Sequence, residues 1–169
     1  MSIIGIYKSL FPARITGYIG ERLKDEFEAF AGSLPTGTKV LDAGAGDLHW
    51  KYLFSHCDYK SADVCYPENK LDQTKLDYVV DMENMKEISG NSFDAVFCIA
   101  VLEHTKHPQL VINEFKRVLK PGGRLFLLTS SAFEDHQIPN HFFNTTQYGV
   151  RLLFDEAGLE TKHIEYTAG

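Results

Sequence analysis

The segment Val40-Leu41-Asp42-Ala43-Gly44-Ala45-Gly46-Asp47 decides how the rest of the chain is read. Thr38 to Asp42 has the character of a short strand, and the Gly-x-Gly after it ends that strand in a tight turn. Glycine at 44 and 46 lets the backbone bend sharply and approach a ligand with no side chain in between. In an open α/β sheet, ligands bind outside the carboxyl ends of the strands, near the switch in strand order. The end of this strand is such a place. Taken alone, the Gly-x-Gly is a weak signal, more readily explained as a tight βα turn that uses glycine for its geometry.

Outward from residue 47, short apolar runs alternate with amphipathic stretches. His49 to Phe54 predicts a short helix, Tyr59 to Val64 a second strand and Leu76 to Val80 a third. Phe93 to Ala100 (FDAVFCIA) is almost wholly apolar, as suits a strand covered on both faces. Pro108 to Leu119 carries Leu110, Val111, Phe115, Val118 and Leu119 at helical spacing, and Pro121-Gly122-Gly123 ends it. Arg124 to Thr129 is the next strand. Thr145 to Ala157 is a helix with Val150, Leu153, Phe154 and Ala157 on one face and Gly158 as its stop, and Leu159 to Tyr166 is a last strand. The alternation predicts an α/β fold of the Rossmann-like, doubly wound type: a mainly parallel sheet with helices on both faces. Thr16 to Phe30 is a separate amphipathic helix with Ile19, Leu23, Phe27 and Phe30 on one side. The expected organisation is an N-terminal helical segment, 1–37, acting as a lid or cap, followed by a binding domain, 38–169.

The chain has 169 residues, enough for one domain with a sizeable core. Its net charge is −6 and no basic block stands out, so a large non-specific nucleic-acid interface is not expected. Cys57, Cys65 and Cys98 form no CxxC pair and no Cys/His ligand spacing, so neither a disulfide framework nor a metal site is indicated. Cys98, inside an apolar run, reads as a core residue. No stretch approaches the roughly 18 apolar residues of a membrane span. At the N-terminus Lys8, Pro12 and Arg14 interrupt the apolar residues, so no secretory leader is read there and a cytoplasmic location is expected. Ile3, Ile4, Ile6, Leu10 and Phe11 would allow at most a weak peripheral membrane contact. Nothing in the sequence fixes an oligomeric state.

Asp42, Asp63 and Asp81 follow three successive strand ends. Gly46 and Asp63 stand at about the interval at which a carboxylate reaches ribose hydroxyls. Acids also favour the N-caps of following helices, which explains one of the three more readily than all of them beside a Gly-x-Gly turn.

With these residues in place, the sequence resembles the class I S-adenosylmethionine-dependent methyltransferases, in particular the small-molecule group of the ubiquinone/menaquinone-biosynthesis type. The resemblance covers about Thr38 to Thr161. VLDAGAGD resembles the family's first motif, SADV its ribose-binding acid and VVDMENM its adenine-side acid. NSFDAVFCIAVLEHTKHPQLVINEFKRVLKPGGRLFLLT is the most specific part, and QYGVRLLFDEAGLE resembles the late helix. The resemblance implies S-adenosylmethionine as methyl donor. It implies that Gly44, Ala45 and Gly46 pass along the methionine portion and that Asp42 positions its amino group. Asp63, with Val64 beside it, would accept the ribose hydroxyls. Asp81 would accept the adenine amino group, the Met82 amide would bond a ring nitrogen, and the backbone at Ile99 and Ala100 would face the methionine amino group. Two departures stand out. Asp47 replaces a third glycine of the longer pattern, and the sequence stops at Gly169, soon after Ile164-Glu165-Tyr166, where the family's last, antiparallel strand is expected. The expected sheet therefore lacks that strand, as if the chain were cut short at its C-terminal end. Dinucleotide dehydrogenases share the Gly-x-Gly-then-acid logic, but their fingerprint needs a third glycine that is absent here.

For methyl transfer the resemblance implies an acceptor that is a small molecule, lipid or glycan intermediate. Candidate general bases are Glu103, His104, His136 and His141, with His104 and His141 preferred; Phe142 and Phe143 would wall the acceptor side. A metal held by Asp135, His136 and His141 is not expected, because nothing in the spacing fixes a ligand geometry. A non-catalytic, cofactor-binding regulatory module is the alternative to an enzyme, and a nicotinamide-dependent oxidoreductase is a third reading.

Overall fold

The structure is a computed structural model and describes residues 2–6, 24–64, 72–132 and 134–166. In chain order, strand β1 spans Ser2–Ile6, helix α1 residues 24–32, β2 Lys39–Ala43, β3 Asp58–Asp63, β4 Tyr78–Val79 and β5 Phe93–Ile99. Helix α2 then spans Pro108–Val118, β6 Leu119–Ser130, α3 Gln147–Glu156 and β7 His163–Tyr166. The strands form one seven-stranded sheet in the order β4-β3-β2-β5-β6-β1-β7, and every pairing is parallel. Apart from β1, the order runs outward from β2 in both directions, so the switch point lies between β2 and β5, as the Gly-x-Gly reading requires.

Period-2 alternation in the central strands sends side chains to two cores. On one face Leu41, Ala43, Val96, Cys98, Leu125 and Leu127 meet Val111, Ile112, Phe115 and Val118 of α2 and Val150 and Phe154 of α3. On the other, Val40, Ala95, Phe97, Phe126 and Leu128 meet Phe27, Phe30 and Ala31 of α1 together with Phe54. Phe27 is the hub of this second core. Its ring lies 5.0 Å from both Phe97 and Phe126, 5.1 Å from Trp50 and 5.6 Å from Phe54. The expected doubly wound α/β class, with helices on both faces, is what the chain forms.

Three features differ from expectation. Ser2–Ile6 is a strand, so the 1–37 segment is not helical throughout; β1 inserts between β6 and β7, with Ser2 opposite Phe126 on one side and His163 on the other. The position that the resemblance reserves for an antiparallel strand thus holds a parallel one from the other end of the chain. Second, α1 lies in the core beneath the sheet rather than over the ligand end. Of the expected helix Thr16–Phe30, residues 16–23 lie outside the described residues, as do Leu10 and Phe11. Third, β6 begins at Leu119, before Pro121-Gly122-Gly123. The ladder with β5 shifts register between Phe93 and Ala95, opposite Leu119 and Arg124, so the glycines sit in a bulge instead of ending the element. Among the described residues, no helix is long and apolar enough to cross a membrane.

Candidate functional site

The carboxyl ends of β2, β3, β4 and β5 lie on one rim. Gly44, just after β2, has φ +86°, and a Cβ there would stand 2.1 Å from Cγ2 of Val101, just after β5. Glycine is therefore required at 44 by conformation and by contact, at the place where the strand order switches. Gly46, with φ +53°, is different: a Cβ there would meet no described residue within 4 Å. The amides of Gly44 and Ala45 both donate to the Ala62 carbonyl, at 2.8 and 3.1 Å, and the Gly46 amide donates to Asp63 Oδ2 at 2.9 Å. The glycine turn is thus strapped to the end of β3.

Asp63 is nearly buried; its backbone carbonyl also accepts from the Val80 amide, which fixes the end of β4. Val64 follows it, half-buried. Asp42 is 3% exposed and accepts the Tyr59 hydroxyl at 2.5 Å. Burial pushes its carboxyl up to about 7; the Tyr59 hydrogen bond opposes the rise, and the Asp63 charge adds to it. Burial also raises the Tyr59 hydroxyl, with the neighbouring Asp42 charge adding to the effect. Tyr59 is the partner that motif reading missed. The register Val40↔Tyr59 sets it diagonally across from Asp42 on the adjacent strand, and a cross-strand count would have found it.

Asp81 is exposed, and its Oδ1 accepts the Glu83 amide at 2.8 Å in a tight Asx turn; Met82 beside it is buried in the α2-side core. Ile99 is half-buried. Ala100 adopts φ +54°, unusual without glycine, while its amide donates to the Leu128 carbonyl at 3.0 Å. The backbone at 99–100, which the sequence reading placed opposite a ligand, is therefore locally strained.

After β5 the 3-10 turn Leu102–His104 carries Glu103 and His104. Glu103 is buried; its Oε2 accepts the Thr129 hydroxyl at 2.9 Å, and its backbone carbonyl accepts the amides of Phe142 and Phe143 at 2.9 and 3.3 Å. These bonds draw the 134–143 loop onto the turn. His104 Nδ1 meets the Asn140 carbonyl at 2.7 Å, and burial holds its pKa below the ordinary histidine value against that hydrogen bond. The rings of His104, His136 and His141 form a triangle, with centres 4.7, 5.7 and 4.4 Å apart for the pairs 104–136, 104–141 and 136–141. The two preferred histidines are thus brought together, with His136 between them. Phe142 and Phe143, 38% and 42% exposed, flank this cluster in sequence. Ligand atoms of Glu103, His104 and His136 lie within 4.8 Å of one another, a set that linear spacing did not reveal.

Gly46, the nearly buried Asp63 strapped to it and the buried Asp42 thus stand together at the carboxyl ends of β2 and β3.

A family model described as a methyltransferase domain matches residues 41–127, just over half of the chain. The chain is 33% identical over 148 residues to a tRNA (carboxymethyluridine(34)-5-O)-methyltransferase of Arabidopsis thaliana, covering 83% of this chain and 33% of that protein. It is 32% identical over 132 residues to a ubiquinone biosynthesis O-methyltransferase of Xanthomonas axonopodis pv. citri, covering 72% of this chain and 50% of that one. The chain thus spans a third to a half of the length of these curated relatives. Among solved structures, a phosphoethanolamine N-methyltransferase 2 of Haemonchus contortus, in complex with S-adenosylhomocysteine, superposes with a TM-score of 0.64 at 17% identity, over 81% of this chain and 36% of that one. The [4+2]-cyclase SpnF superposes with a TM-score of 0.60 at 23% identity, over 82% of this chain and 56% of that one, so the fold alone does not fix a reaction. The chain belongs to the methyltransferase-domain family of class I, S-adenosylmethionine-dependent methyltransferases.

Proposed function

We propose that this protein transfers the methyl group of S-adenosylmethionine to an acceptor that is a small molecule, lipid or glycan intermediate. The observation that carries the reading is the Asp63–Gly46 strap: a nearly buried carboxylate fixed at the edge of a glycine turn. Bound there, S-adenosylmethionine supplies a methyl group already activated on a sulfonium. The protein's task is then mainly alignment. Asp63 takes the ribose hydroxyls, Asp42 the methionine amino group and the 99–100 backbone the same end of the ligand. Asp81 and Met82 take the adenine edge, Asp81 by turning its exposed carboxylate. His104 and His141 stand on the acceptor side. Burial lowers the His104 pKa and so favours the neutral ring, the state in which Nε2 takes a proton from a hydroxyl or thiol as the methyl arrives.

The acceptors in the relatives' names range from tRNA to thiols. A net charge of −6 favours a small acceptor over tRNA here, and tRNA belongs in the screen as the opposing arm. A cytoplasmic location is part of the same proposal.

Calorimetric titration with S-adenosylmethionine, S-adenosylhomocysteine and NAD tests the cofactor. We expect micromolar-class binding of the first two and none of NAD. Asp63→Ala should weaken binding by at least about 1 kcal/mol, because it removes a charge-assisted hydrogen-bond pair. Unchanged affinity in that variant would remove the ribose assignment. A methyl-release screen over phenols, thiols, lipid and glycan intermediates and tRNA then separates an enzyme from a cofactor-binding module, which would bind and release nothing.

A further inference from the structure

The histidine cluster beside the rim is built in a way that acid–base work does not require. His104 Nδ1 faces the Asn140 carbonyl at 2.7 Å, and His136 Nδ1 faces the Glu134 carbonyl at 3.0 Å. A carbonyl only accepts, so each Nδ1 carries the proton and each neutral ring keeps its lone pair on Nε2. Histidines that hold metals are oriented in this manner, the far nitrogen tied to backbone oxygen. Among the described residues His104 Nε2 is buried with no protein partner. His141, its side chain 3% exposed, has no hydrogen-bond partner at either ring nitrogen among them; Asp135 Oδ1 stands 3.7 Å from its Nδ1. Buried nitrogens left in this state are unfavourable unless something binds them. Glu103 adds a buried carboxylate, positioned by the Thr129 hydroxyl and in no ion pair among the described residues. We infer that Glu103, His104 and His136 form a binding site for a divalent transition-metal ion, with His141 as the ring directly behind them.

The dimensions agree. An ion bound at about 2.0–2.2 Å by nitrogen and oxygen holds neighbouring ligand atoms about 3.4 Å apart. The three groups already lie within 4.8 Å of one another, so closing the site needs side-chain shifts of about 1 Å. Two imidazoles and one carboxylate suit zinc or ferrous iron and disfavour calcium and magnesium, which take oxygen ligands. An ion here occupies Nε2 of His104 and leaves His141 as the ring free to accept a proton. The site stands whether or not the chain transfers a methyl group.

The test uses the whole chain, stripped with a chelator and titrated with Zn²⁺ by calorimetry and with Co²⁺ by visible absorption. One equivalent should bind with micromolar or tighter affinity, and Co²⁺ should give the intense visible bands of a low-symmetry site. His136→Ala and Glu103→Gln should each weaken binding at least tenfold and alter those bands; circular dichroism confirms that each variant is folded. His49→Ala, an exposed histidine outside the cluster, should change nothing. Binding of less than about a fifth of an equivalent, or equal binding by wild type and His136→Ala, overturns the inference. S-adenosylhomocysteine affinity, measured on the same stripped protein, keeps the two readings apart: cofactor binding without metal binding removes only the metal site, and metal binding without cofactor binding removes only the methyl-donor reading.

Discussion

The two sides of the rim are held by different means. On the side proposed for the cofactor, the glycine turn, Asp63 and the end of β4 are joined by short bonds between neighbouring parallel strands: Gly44 and Ala45 to Ala62, Gly46 to Asp63, Val80 to Asp63. On the side proposed for the acceptor, the Leu102–His104 turn and the 134–143 loop meet through bonds spanning dozens of residues: Phe142 and Phe143 to the Glu103 carbonyl, His104 to Asn140. The first arrangement follows from strand register once the sheet has formed. The second depends on where a loop falls. A sheet-built site tolerates little change in its turn residues, whereas a loop-built site tolerates side-chain change as long as its backbone bonds survive.

The sharpest way to break this contrast is at Gly44. Alanine there needs an unfavourable φ of +86° and drives its Cβ into Val101, whose branched side chain has little freedom to move. Gly44→Ala should cost about 2–4 kcal/mol in urea unfolding and weaken S-adenosylhomocysteine binding by two orders of magnitude or more. Adding Val101→Ala should recover part of the stability, since only the contact and not the φ is relieved. Gly46→Ala, whose Cβ would meet no described residue, should leave stability within about 1 kcal/mol while still losing the cofactor. Equal stability loss at 44 and 46 would show that backbone conformation, not the contact at the switch point, decides.

Asp42 sharpens the contrast through pH. Its folded-state pKa of about 7 lies above the unfolded value of 3.8, so the folded protein holds this proton more tightly. Its contribution to stability is therefore fully present below about pH 4 and is lost as pH rises through 7. That difference corresponds to roughly 4 kcal/mol as an upper bound. Asp42→Asn keeps an acceptor for Tyr59 without the charge. We expect it to gain about 1–3 kcal/mol over wild type at pH 8, and to lose that advantage by pH 4, while binding the methionine amino group more weakly. A stability difference that stays flat between pH 4 and 8 sinks the assignment. A gain in stability with a loss in binding would mark the cofactor side as a place where the fold carries a cost for its ligand.

Much of this side was legible in the sequence. Val40 to Asp47 gave both the turn and the switch point, and FDAVFCIA gave the central strand. What escaped depends on partners far away in the chain. Ser2–Ile6 has no alternation to mark it as a strand, and its place in the sheet is set by Phe126 to Ser130 and His163 to Tyr166. Pro121-Gly122-Gly123 reads as a break because local chemistry cannot show that a bulge will carry the ladder past it. Tyr59 needed strand register rather than motif. His136 and His141 were visible as residues, but the triangle they make with His104 exists only because the Glu103 carbonyl anchors the loop.

Asp81 offers a smaller effect. Its carboxylate is exposed and already occupied in part by the Glu83 amide, whereas Asp63 is nearly buried. Asn keeps the acceptor oxygen for that amide, so Asp81→Asn should leave stability unchanged and reduce cofactor affinity by less than about 1 kcal/mol, below the loss at Asp63→Ala. A larger loss at 81 than at 63 would place the dominant cofactor contact at the adenine edge.

The smallest expected effect lies on the acceptor side. Phe142 and Phe143 hold the loop through their amides, and their rings are 38% and 42% exposed, so the rings contribute little to the core. Phe142→Ala keeps the amide bond to the Glu103 carbonyl and should shift unfolding by no more than about 0.5 kcal/mol, with cofactor affinity unchanged. Its effect should fall on the acceptor, as a rise in KM for whichever compound the methyl-release screen identifies. A stability loss comparable to that of Gly44→Ala would mean that the ring, rather than the backbone, anchors the loop, and the distinction between a sheet-built and a loop-built half of the rim would not hold.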